Sequence, residues 1–130
     1  MVALDTNILV RVLTNDDRIQ SQTAAAFIRG RDRVLILKTV LLEIEWVLRS
    51  AYQFDRQAIA LGLHNLMATG NFVIEDKDAV TLALDWFERG MDFADALHLA
   101  STDRETEFAT FDVTLRRVAE KLGIGRVVAI

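Results

Sequence analysis

Asp5 directly follows the apolar run Val2-Ala3-Leu4, and Asp112 directly follows Phe108-Ala109-Thr110-Phe111. Both runs suit buried strands of a parallel sheet, and in such sheets the ligand crevice lies beyond the carboxyl ends of the strands. Neighbouring strands lie about 4.8 Å apart, so two such carboxylates on adjacent strands would share one crevice. Repulsion and desolvation would oppose their ionisation, and a divalent cation would remove that cost. Carboxylate oxygens are the ligands that Mg²⁺ or Mn²⁺ prefers. Each residue equally suits a turn or a helix cap, where aspartate is common.

Two further acidic positions could join them. In Met91-Asp92-Phe93-Ala94-Asp95-Ala96-Leu97-His98, the apolar face holds Phe93, Ala96, Leu97 and Ala100. Asp95 lies away from that face in the first helical turn, where the helix dipole favours an anion. An ordinary helix start, with Asp92 as cap, accounts for the same pattern. Thr39 to Tyr52 reads as a helix whose apolar arc is set by Val40, Ile44, Val47, Leu48 and Ala51. Glu43 lies just beyond one edge of the arc and Glu45 just beyond the other, and periodicity does not choose between them. Both also suit boundary charges whose apolar stems lie against the core.

Other chemistries are poorly served. The two histidines, His64 and His98, have no partner at metal-ligand spacing, and His98 is placed to pair with Asp95 at i−3. No glycine-rich phosphate cradle is present. With no cysteine, disulfides, thiol catalysis and iron–sulfur ligation are excluded. The 130 residues suit one domain, and a chain of that length buries enough surface to be stable without staples. Apolar residues make up 52% of it, which argues against disorder. The longest stretch free of Asp, Glu, Lys and Arg is Gln57 to Ile74, and its Gly62, His64, Asn65, Gly70 and Asn71 make it a poor membrane span. Asp5 interrupts the first apolar run, unlike a signal peptide, so a cytoplasmic location without membrane contact is expected. The formal charge of −4 does not call for nucleic acid, yet twelve of the fifteen basic residues are arginine, which suits bidentate contact with phosphate.

Strand and helix patterns alternate along the chain. Strands are expected at 2–4, 34–37, 72–74, 108–111 and 127–130. Helices are expected at 16–29 (stopped by Gly30), from Thr39 to Tyr52, from the Asp55 cap to Thr69, from Asp76 or Asp78 to Gly90, from Asp92 to about Arg104, and at 114–122. This is the pattern of an α/β fold: an open, parallel, about five-stranded sheet flanked by helices on both faces, in a single domain spanning 1–130.

Leu4-Asp5-Thr6-Asn7, Leu42-Glu43-Ile44, Asp92-Phe93-Ala94-Asp95-Ala96-Leu97 and Ala109-Thr110-Phe111-Asp112, in that order and spacing, resemble the PIN-domain family. The likeness covers the whole chain and is greatest to the small ribonuclease toxins called VapC, of type II toxin–antitoxin systems. It implies an acidic quartet of Asp5, Glu43, Asp95 and Asp112, so favouring Glu43 over Glu45. It also implies Mg²⁺ or Mn²⁺ as cofactor, and supporting roles for Asn7 and Thr110. Asp112 stands where the family often has Asn, and Leu115 where an aromatic is frequent. The activity implied is endoribonucleolytic hydrolysis by a metal-activated water. The partners implied are RNA, a second copy of the chain, and a cognate antitoxin whose tail enters the cleft. Arg11, Arg116 and Arg117 are candidates to hold flanking phosphates.

Four other readings fit less well. A haloacid-dehalogenase-type phosphatase needs an Asp where Asn7 stands. A receiver domain needs an acidic pair sooner than Asp16-Asp17 and a lysine after Val127. A catalytically silent α/β binding module would not need a complete quartet. A structure-specific DNA nuclease is the nearest alternative, but no insertion is present to hold a DNA flap.

Overall fold

The computed structural model describes all 130 residues, in seven helices and five short strands. They form two compact units, Met1–Asp76 and Lys77–Ile130.

The first unit holds β1 (Val2–Ala3), α1 (Thr6–Thr14), α2 (Arg18–Arg29), β2 (Val34–Ile36), α3 (Lys38–Ser50), α4 (Arg56–Met67) and β3 (Phe72–Ile74). The strands pair in parallel in the order β1-β2-β3, with Val2 opposite Val34 and Val34 opposite Phe72. Two helices link each strand to the next, as a parallel pair requires. Helix α1 packs on α2 and α3, and α3 on α4. Leu9, Ile36, Leu41, Ile44, Leu48, Ile59 and Leu63 are fully buried. Each such side chain contributes about 1.5–3 kcal/mol relative to exposure.

The second unit holds α5 (Lys77–Glu88), α6 (Phe93–Ala100), β4 (Phe108–Thr110), α7 (Val113–Lys121) and β5 (Val127–Ala129). Its two strands are parallel, with Phe108 opposite Val127 and Thr110 opposite Ala129. Helix α5 lies against α6, where Phe87 and Phe93 meet edge to face at 5.5 Å. Helix α7 covers β4 and β5.

The α/β class and the parallel strands agree with the sequence reading. The ladder bonds join three strands within the first unit and two within the second, and strands of two or three residues offer few such bonds.

Helix α1 was not among the expected helices: Asp5 is its N-cap, one of the two roles its type suits, and Thr6 begins the helix. The helix ends at Asn15, whose φ of 53° is a left-handed conformation that asparagine tolerates. Helix α6 stops at Ala100, short of the expected Arg104. Strand β4 stops at Thr110, where the Thr110 hydroxyl accepts the Asp112 N–H and turns the chain before Phe111 can extend the ladder.

Candidate metal centre

Asp5 and Asp112 occupy equivalent local positions in their two units. Each stands two residues beyond the end of a parallel strand, and each is the N-cap of the helix that follows. The Asp5 Oδ1 accepts the Thr6 N–H at 2.8 Å, and the Asp112 Oδ1 accepts the Leu115 N–H at 3.1 Å. In both residues the Oδ2 atom takes no hydrogen bond. Both carboxylates are exposed. The cap reading and the ligand reading are therefore compatible: one oxygen orders the helix start and the other remains available.

Glu43 and Glu45, equivalent by periodicity, have different surroundings. Glu45 is 2% exposed, and its carboxylate accepts from the Arg49 Nε at 2.8 Å one turn later. Glu43 is exposed, and its Oε1 accepts a hydrogen bond from the hydroxyl of Thr6. Thr6 is itself only 3% exposed and immediately follows Asp5. It thus joins Asp5 and Glu43 in the first unit. The sequence reading assigned Thr6 no role. A hydroxyl residue directly after an acid, at the start of an apolar 3.6-residue pattern, was the signal that could have found it.

In the second unit Asp95 occupies the first turn of α6, and its N–H is capped by the Asp92 carboxylate at 3.1 Å. Partial burial raises the Asp95 carboxyl above its ordinary value. The nearby Asp92 carboxylate raises it further, followed by Asp112, while His98 acts in the opposite sense. Asp95 and Asp112 therefore feel each other as like charges. Thr110 braces Asp112 through its backbone N–H at 2.9 Å. Asn7 is exposed on α1, at the edge of a groove of about 440 Å³ between α1 and α2.

The quartet divides two and two: Asp5 and Glu43 lie in the first unit, Asp95 and Asp112 in the second. Within either unit, no three His, Asp or Glu side chains are placed to hold a metal ion together. The donor set of carboxylates alone nonetheless has the chemistry of a hard divalent cation. The Asp95 carboxyl is raised first by its partial burial and then by the Asp92 and Asp112 charges.

Of the three arginine candidates, Arg11 is committed elsewhere. Its guanidinium binds Asp16 at 3.0 Å, the Tyr52 hydroxyl at 3.1 Å and the Gln20 side chain at 2.7 Å. Arg116 has a buried Nε with no hydrogen-bond partner, and Arg117 is exposed.

The sequence matches the PIN domain family over residues 2–121, nearly the whole chain and across both units. The chain belongs to the PIN-domain family. PIN domains are in general metal-dependent nucleases, and this is the activity class that membership gives the chain. No curated protein and no solved structure matches it. No helix is long and apolar enough to cross a membrane.

Proposed function

We propose that the chain is a single-domain, Mg²⁺- or Mn²⁺-dependent endoribonuclease, the VapC-type toxin of a toxin–antitoxin pair. Asp5, Glu43, Asp95 and Asp112 are its metal ligands and catalytic residues, directly or through water. The observation that carries the reading is the repeated strand end, Asp and helix arrangement at Asp5 and Asp112, within a chain that matches the PIN family over residues 2–121. Each acid is held by its own helix start with one oxygen still available.

The residues divide the work. Asp5 and Asp95 are the main ligands of the cation, and Glu43 and Asp112 complete the site, directly or through water. Thr6 holds Glu43 through its hydroxyl, and Thr110 holds the Asp112 backbone. The ion, when bound, supplies Lewis acidity toward the phosphodiester and its attacking water. Because water rather than the ribose 2′-hydroxyl attacks, the products carry 5′-phosphate and 3′-hydroxyl ends. Arg116 and Arg117 contact flanking phosphates. The partners are RNA, a second copy of the chain in a homodimer, and a cognate antitoxin. The setting is cytoplasmic, where translation offers the RNA target.

Cleavage of end-labelled RNA and DNA oligonucleotides with Mg²⁺ and with EDTA tests the reading. RNA is cut with Mg²⁺ and not with EDTA. The Asp5→Asn variant cuts neither, while its melting temperature stays near that of the parent, because asparagine caps a helix about as well as aspartate. Cleavage that persists in EDTA, or an Asp5→Asn variant as fast as the parent, rejects the metal mechanism. Preferential cutting of DNA rejects the RNA assignment.

A further inference from the structure

Phe111 separates Thr110 from Asp112 and is 81% exposed, more than any other large apolar side chain of the protein. Its neighbour Val113 is 46% exposed. The Phe111 ring meets no other aromatic ring. An aromatic in water forgoes the stabilisation that burial brings, so packing within the second unit does not explain the choice of residue. Nor is this a loosely held loop. The Thr110 hydroxyl binds the Asp112 N–H on one side of the turn, and the Asp112 carboxylate binds the Leu115 N–H on the other. The backbone that presents the ring is therefore fixed at both ends by the same residue that is a candidate metal ligand.

From this geometry we infer that Phe111 is a stacking platform for one base of a single-stranded nucleic-acid substrate, next to the phosphodiester that is cut. The inference rests on the nuclease reading above. Two observations favour a nucleobase over a protein side chain as the occupant. The ring is covalently adjacent to Asp112, so whatever covers it is brought beside the candidate metal centre. Arg116 and Arg117 follow one turn along α7, at the i+3 and i+4 positions from Val113, where side chains share a face. An exposed ring followed one helical turn later by basic side chains is a combination suited to holding single strands without reading their sequence, because every base offers a π face. A duplex keeps its bases stacked on each other and cannot use the ring.

Steady-state cleavage of a short single-stranded RNA by the full chain, with Mg²⁺, tests the inference. Phe111→Ala raises KM about 5- to 150-fold, the range for removal of one base–aromatic stack. Its kcat changes little, because Asp112 keeps its own hydrogen bonds. Phe111→Trp retains the parent KM, whereas Phe111→Leu, apolar but without a π face, does not. An abasic nucleotide placed at successive positions of the RNA raises the parent KM at one position and leaves the Phe111→Ala KM unchanged there. Unchanged melting temperature in all three variants shows that folding is not the cause. An unaltered KM in Phe111→Ala, with the parent active, overturns the inference and leaves the nuclease reading standing. So does a Phe111→Leu variant equal to the parent, or a variant that only changes the sedimentation mass, which would mark a contact between copies. A parent that cleaves no RNA overturns both.

Discussion

The hydroxyl of Thr6 donates a hydrogen bond to the Glu43 carboxylate, tying the first residue of α1 to the middle of α3. Thr6 is buried and Glu43 is exposed, so the bond fixes a charged group at the surface from a rigid anchor inside. Thr6→Val keeps the shape and removes the donor. Glu43 then recovers hydration, and the stability cost is about 1 kcal/mol. The effect on cleavage is larger, about tenfold in kcat, as is typical when a group orienting a metal ligand is lost. Thr6→Ser restores both. Thermal melts and single-turnover cleavage separate the two effects. A Thr6→Val variant whose activity falls no further than its folded fraction would show the hydroxyl to be structural only.

Glu45 makes the opposite case. Its carboxylate is buried at 2% exposure and is met by Arg49, whose side chain is 53% exposed. Removing the arginine leaves a buried anion without its partner, whereas removing the glutamate leaves no buried charge. Arg49→Ala is therefore expected to lose about 1–3 kcal/mol, and Glu45→Met considerably less. Chemical denaturation of both variants checks the order. Cleavage per folded molecule stays at the parent level in each, which separates Glu45 from the proposed role of Glu43.

These two glutamates show what the sequence could and could not disclose. Both flank the apolar arc of α3, and spacing alone treats them alike. Burial separates them because it depends on what α3 packs against. The same holds for the sheet: strand positions such as Phe72–Ile74 were readable from apolar runs, but pairing as three and two depends on distant partners. Several caps were readable because they are local, although α3 begins at Lys38 with no side-chain cap rather than at a Thr39 cap. Asp55 and Asp92 each bond a backbone N–H three residues on. Helix α1 was hidden because Asp5 and Thr6, read together, resemble a turn as much as a helix start.

Asp95 predicts a pH signature in metal-free protein. Its carboxyl is raised in the folded state above the ordinary value of 3.8 by burial and by Asp92 and Asp112. Between the unfolded and folded values the folded state holds more protons, so stability falls as pH rises through that window and stays lower above it. Asp95→Asn removes the ionisation. In EDTA at pH 7 the variant melts above the parent, and the difference disappears below about pH 3.8. Saturating Mg²⁺ stabilises the parent more than the variant, because a ligand that binds only the folded state raises its stability. A difference that persists unchanged at acid pH would show that Asp95 ionisation is not its source.

Asp112 tests whether the cap and ligand roles are separable. Its Oδ1 caps α7 at the Leu115 N–H while Oδ2 takes no hydrogen bond. Asp112→Asn keeps the one oxygen that the cap needs, but puts an amide nitrogen where Oδ2 stood and loses the charge. Its melting temperature stays near that of the parent, while the Mg²⁺ concentration for half-maximal cleavage rises about tenfold. Asp112→Ser keeps the cap alone, so the fold is retained and cleavage falls furthest for a given loss of stability. Asp112→Ala loses both roles, with about 1 kcal/mol from the missing cap. Melting curves and Mg²⁺ titrations of cleavage rate on the three variants distinguish the roles. If Asp112→Asn shows the parent's Mg²⁺ dependence, the carboxylate serves the helix and not the metal, and the proposed ligand set contracts to Asp5, Glu43 and Asp95.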